Sequence, residues 1–106
     1  MTPERRVKVK VKKVLDHINA YNFTPVTGGY GRSGVPDIIA CFEGRFIAVE
    51  CKAKGNKPTA LQLDNLQDIE YCGGLAFVVD ENNFNEFERT MYELAEKTKN
   101  PAPTGK

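Results

Sequence analysis

The 106-residue chain has little with which to build several common kinds of site. Its one histidine, His17, lies beside an apolar stripe with no partner at ligand spacing, so it reads as a partly buried surface residue. The three cysteines, Cys41, Cys51 and Cys72, are odd in number and include no C-x-x-C pair. That argues against a disulfide framework and against a zinc knuckle. Reduced, buried thiols packing as small hydrophobes is the reading that remains. No apolar run is long enough to span a bilayer. The basic N-terminus is not followed by the apolar stretch of a signal peptide, so the expected compartment is the cytoplasm. There are no internal repeats, and the net charge is only +1.

What is present fits a single small domain. Apolar content of 41% and charged content of 27% are ordinary for a globular protein and exclude wholesale disorder. The small net charge conceals an asymmetry. Residues 1–58 carry eleven Lys and Arg against five acids, and residues 59–106 carry four against nine. Such a split predicts one basic and one acidic face. The basic face suits a polyanion, with a plain solvated surface as the competing reading.

From Glu4 to Ala20, Val7, Val11, Val14, Leu15 and Ile18 form one helical stripe. Alternation in "VKVKVKKV" suggests a strand, but the longer window decides for a helix capped by Thr2, with Pro3 at its first position. Residues 21–34 hold Pro25, Gly28, Gly29, Gly31 and Gly34 and read as a loop, with a short strand around Phe23 to Val26. Two strands follow, Val35–Phe42 and Arg45–Lys52, joined by a tight Glu43-Gly44 turn. Thr59-x-x-Gln62 is a capping-box signature opening a helix that Gly73 ends. Leu75–Val79 is wholly apolar and reads as a central buried strand. Phe84, Phe87, Met91, Leu94 and Ala95 form a further helical stripe. The expected class is therefore α/β, a small mixed sheet flanked by helices in the order α-β-β-β-α-β-α. Residues 1–98 form the domain and 99–106 a frayed tail.

The hairpin brings chemistry together. With a two-residue turn, paired positions place Cys41 opposite Phe46, Ile39 opposite Ala48 and Asp37 opposite Glu50. Opposed Cβ atoms lie roughly 4.5–5.5 Å apart. Lys52, two residues beyond Glu50, points to the same face. Two carboxylates in opposition repel, and one pKa rises. A divalent cation removes the conflict, and oxygen ligands without His or Cys suit Mg²⁺ or Mn²⁺. Such an ion acidifies water and polarises a phosphoryl group, and Lys52 could orient the water or neutralise growing charge. Each fragment also has a bland reading, Asp after Pro as a turn residue and Glu-x-Lys as a solvated strand face.

Gly34-Val35-Pro36-Asp37 followed by Glu50-Cys51-Lys52 resembles the PD-(D/E)XK nuclease superfamily. With Thr59-Ala60-Leu61-Gln62, Gly73-Gly74 and the apolar "LAFVV", the chain is most similar to the VRR-NUC, or virus-type replication-repair nuclease, family within it. The resemblance runs from about Glu4 to Val79. It implies a restriction-endonuclease-like core and a Mg²⁺-dependent endonuclease hydrolysing DNA, with branched DNA such as Holliday junctions as a candidate substrate. It also implies a homodimer, no small-molecule cofactor, and a host bacterial cytoplasm if the chain is viral. Asp37 and Glu50 become metal ligands, the Cys51 carbonyl a backbone ligand, Lys52 the catalytic lysine, and Gln62 a holder of water or phosphate near the site. Glu4 matches a first-helix acid near the metal, though it also serves as an ordinary first-turn acid.

Around this core, "TGGYGRSG" offers Tyr30 for stacking on a base or sugar and Arg32 and Ser33 for phosphate. Lys54 and Lys57 follow the site and can touch phosphates, and Lys8 and Lys12, among the basic residues of the first helix, can contact a nucleic-acid backbone. Two other functions compete: a noncatalytic nucleic-acid-binding module that kept the fold, and a nuclease acting mainly on RNA.

Overall fold

The computed structural model describes residues 1–26 and 31–97. Tyr30 and the tail expected at 99–106 lie outside the described residues. The element order is α1 (Pro3–His17), β1 (Tyr21–Phe23), β2 (Ile38–Phe42), β3 (Arg45–Cys51), α2 (Ala60–Tyr71), β4 (Leu75–Val79) and α3 (Phe84–Lys97). The strands form one mixed sheet in the order β1-β2-β3-β4, with β1, β2 and β3 antiparallel and β4 parallel to β3. This is the α/β architecture and order that the sequence predicts.

Helix α1 forms because Val7, Val11, Val14 and Leu15 make a continuous buried stripe. The Thr2 hydroxyl accepts the Arg5 N–H at 3.2 Å. The helix closes on paired N–H bonds from Asn19 to Asp16 and from Ala20 to Leu15, with Asn19 at φ 64°. Lysines along it are fastened into the fold. Lys12 donates to the Asn22 side chain of β1 at 2.6 Å, and Lys10 lies 4.5 Å from the Phe84 ring centroid of α3. Ile38, Ala40, Phe42, Ile47 and Val49 on one face of the sheet join the α1 stripe and Phe84, Phe87 and Met91 of α3 in a single core. His17 is exposed rather than partly buried, its ring 5.6 Å from that of Tyr92 in an edge-on contact.

Several expectations need correction. The short strand after α1 is Tyr21–Phe23, not Phe23–Val26: it begins at once after the helix-ending turn, and Pro25 has no N–H to extend it. Strand β2 starts at Ile38 rather than Val35, because Pro36 cannot donate a rung and Asp37 uses its side chain instead. Strand β4 lies at the sheet's edge, not its centre. Its wholly apolar sequence reflects helices against it, with α2 and α3 both in contact with β4. Only Cys51 is a buried thiol; Cys41 and Cys72 are free and exposed, since Cys41 alternates onto the open face of β2 and Cys72 sits just past the end of α2.

Candidate active site

The site is set by the turn between β2 and β3. Glu43 and Gly44 take φ values of 50° and 79°, the backbone of a two-residue turn that matches strand twist. Register follows: Phe42 pairs with Arg45, Cys41 with Phe46, Ile39 with Ala48 and Ile38 with Val49. The next opposed positions are Asp37 and Glu50. At this point Asp37 turns its carboxylate into the ladder, where Oδ2 accepts the Cys51 N–H at 2.7 Å. Because the N–H and C=O of a strand residue point to the same side, the Cys51 carbonyl lies on the side of the Asp37 carboxylate.

Four ionic groups converge there. Lys52 Nζ lies 3.4 Å from Glu50 Oε2, and Lys8 Nζ of α1 lies 3.7 Å from Asp37 Oδ1. Glu50 is only 2% exposed, and burial pushes its carboxyl up to about 7. The Asp37 charge and a hydrogen bond with Asp37 push the same way, while Lys52 opposes them. The Cys51 thiol is raised to about 12, chiefly by burial and then by Asp37, and stays protonated. It contributes packing, not a nucleophile.

The loop that delivers Asp37 is held from behind by α2. Buried Asn65 donates through Nδ2 to the Ser33 carbonyl at 3.0 Å and to Leu61 O at 2.9 Å. Gly34, at φ 75°, passes so close that a Cβ would meet Leu61 Cγ at 2.7 Å and the Leu61 carbonyl carbon at 3.1 Å. Only glycine satisfies both the backbone and the space. Gly34→Ala is therefore expected to cost about 2–3 kcal/mol in chemical denaturation, from left-handed strain and displacement of the loop; an unchanged midpoint would contradict this contact. The sequence alone does not mark Asn65 as a site residue. Its only sequence signal is an Asn inside a helix otherwise spaced for packing.

The other expected site residues have local partners or face solvent. Gln62 closes the capping box, its Oε1 accepting the Thr59 N–H at 2.9 Å, and among the described residues no hydrogen bond joins it to Asp37, Glu50 or Lys52. Arg32 reaches Asp68 on α2, with Nη2 2.5 Å from Oδ2. Ser33, Lys54 and Lys57 are exposed. Lys12 is engaged with Asn22. Glu4 sits in the first turn of α1, one turn before Lys8, and its charge reaches the Cys51 thiol as the weakest of the effects there. Among the described residues, no group of three or more Asp, Glu, His or Cys side chains is gathered to hold a metal ion. The groups at the hairpin end able to hold a divalent cation are the Asp37 and Glu50 carboxylates and the Cys51 carbonyl. That set fits Mg²⁺ or Mn²⁺, which retain several waters when held by one or two carboxylates, and not zinc.

No protein-family model matches the chain. It is 41% identical over 56 residues to a protein described as "Putative nuclease p44" of Acyrthosiphon pisum secondary endosymbiont phage 1. The match covers 52% of this chain and 60% of that protein. No helix among the described residues is long and apolar enough to cross a membrane.

Proposed function

We propose that this protein is a nuclease of the VRR-NUC kind, a Mg²⁺-dependent endonuclease hydrolysing DNA phosphodiester bonds, with branched DNA such as Holliday junctions as a candidate substrate. The observation that carries the reading is the meeting of Asp37, Glu50 and Lys52 at the open end of one hairpin, with Glu50 buried and its carboxyl raised to about 7 by burial and by Asp37. A structural role alone gives no reason to bury an acid against another acid. The likeness over half the chain to a phage protein described as a nuclease supports the same reading.

Asp37, Glu50 and the Cys51 carbonyl would hold the divalent cation, which supplies positive charge to polarise the phosphoryl group and acidify a water. The Cys51 N–H fixes the Asp37 carboxylate in place. Lys52, 13% exposed, presents its ammonium at the mouth of the site. There it neutralises charge that grows on the phosphoryl oxygens as water adds to phosphorus and one P–O bond breaks. Exposed Lys54 and Lys57 follow it in the chain and would meet the phosphates of a bound nucleic-acid backbone.

A second copy of the chain belongs to this reading. The sheet face turned toward α2 leaves Phe23 and Phe46 each 44% exposed, lining a groove of about 640 Å³ with Pro25, Ile39 and Ile69. Apolar surface of this kind marks an interaction site. Light scattering is expected to return twice the 11.8 kDa chain mass, and a strict monomer at working concentration would remove the dimer.

The test of function is incubation of the purified chain with linear DNA, four-way-junction DNA and RNA, in Mg²⁺ or EDTA. Cleavage of DNA in Mg²⁺ and its loss in EDTA is the expected result. Binding without cleavage in both Mg²⁺ and Mn²⁺ would favour a noncatalytic nucleic-acid-binding module.

A further inference from the structure

The four ionic groups at the hairpin end do not have equivalent origins. Lys52 and Glu50 come from neighbouring positions of the same chain segment, so their pairing follows from β3 itself. Lys8 comes from α1, 29 positions away from Asp37 in the chain, and its side chain is 32% exposed, the most exposed of the four. Its helix neighbours have structural tasks, Lys10 against Phe84 and Lys12 with Asn22. Lys8 instead spends its charge on a carboxylate that the proposed reaction needs for a cation.

The charge balance gives this contact a meaning. Asp37 and Glu50 against Lys8 and Lys52 sum to zero when all four are ionised. A divalent ion added to them makes the site doubly positive, which favours a phosphodiester. The Lys8–Asp37 pair, at 3.7 Å between partly exposed side chains, is weak and readily exchanged. Resting on the metal-dependent reading above, we propose that Lys8 is a positioning residue that stands in for the divalent cation at Asp37 and transfers to the substrate's phosphate backbone when the cation binds. Cation binding thereby prepares phosphate capture, and the site becomes attractive to DNA only once it is loaded.

The proposal makes opposite demands on one side chain. Lys8→Met removes a competitor for Asp37, so calorimetric affinity for Mg²⁺, Mn²⁺ or Ca²⁺ without DNA is expected to tighten about three- to fivefold. The same variant is expected to bind DNA about fivefold more weakly in Ca²⁺, with the difference between Ca²⁺ and EDTA reduced. Lys13→Met, an exposed lysine of the same helix, controls for net charge and is expected to move metal affinity less than about twofold. Lys8→Gln, with circular dichroism on both variants, guards against a folding defect. Metal affinity that is unchanged or weaker in folded Lys8→Met and Lys8→Gln overturns the proposal while leaving the nuclease reading intact. Failure of the wild-type protein to bind any of the three cations overturns both.

Discussion

Lys52→Ala is expected to reduce DNA cleavage by roughly 10³-fold, the scale of losing one charge aimed at a developing oxyanion. Binding of DNA in Ca²⁺ should stay within about threefold of wild type, because Lys52 is one of several cations near the site and exposed Lys54 and Lys57 remain. A distinctive second signature follows from its partner. Lys52 lies 3.4 Å from Glu50 and lowers the pKa of that carboxyl. Without Lys52 the Glu50 carboxyl holds its proton to higher pH, so residual activity should rise at more alkaline pH than in the wild type. Single-turnover rates from pH 6 to 9 measure both effects. A variant that cleaves at near wild-type rate, or one that loses DNA binding in proportion to cleavage, would remove Lys52 from the chemistry.

Glu50→Gln is expected to make the metal-free protein more stable at pH 8 while abolishing stabilisation by Mg²⁺. The sign comes from the direction of the Glu50 shift. Its carboxyl in the folded protein is raised to about 7, above the ordinary 4.5, so the native state holds this proton more tightly than the unfolded chain does. The stability this group contributes is therefore complete below about pH 4.5 and lost as pH climbs to 7, with little further change above. Relative to Glu50→Gln, which carries no such charge, the wild type in EDTA should lose about 2–3 kcal/mol between pH 5 and pH 8. Comparing the two proteins at each pH cancels the titration of every other group. Saturating Mg²⁺ should restore the wild type and leave the variant unmoved, since a ligand that binds only the native state stabilises it. Parallel stability curves for the two proteins in EDTA would contradict the buried, repelled carboxyl that the site is built on.

The parts of the site legible in the sequence were those fixed by local rules. Glu43-Gly44 dictates a two-residue turn, the turn dictates the register through Ile38–Val49, and one further step sets Asp37 opposite Glu50. Thr59 and Gln62 announced their capping box, and Val7, Val11 and Val14 decided helix over strand despite the alternating lysines. What escaped was set by the packing of one layer on another. Lys8 reaches Asp37 because α1 lies across the sheet, and Arg32 reaches Asp68 on α2 across 36 positions of chain. No periodicity carries either contact. Asn65 escaped for a related reason: a buried amide in a helix is legible only once the loop it holds, Ser33-Gly34, is seen against it. The apolar run of β4 reads as a central buried strand, yet it is an edge strand with only Val79 fully buried, because partial cover by helices leaves the same trace in sequence as burial between strands. The spacing of Gln62 fits both a helix cap and a site residue, and its carbonyl oxygen makes the cap.

The claim on which the rest depends is that Asp37 and Glu50 hold a divalent cation. Anomalous scattering from crystals of the protein soaked in Mn²⁺ tests it most directly. The account predicts manganese held by Asp37 and Glu50, with Lys8 Nζ moved away from Asp37. Manganese bound elsewhere in crystals of protein that cleaves DNA in the same ion, with Asp37 still paired to Lys8, would contradict it.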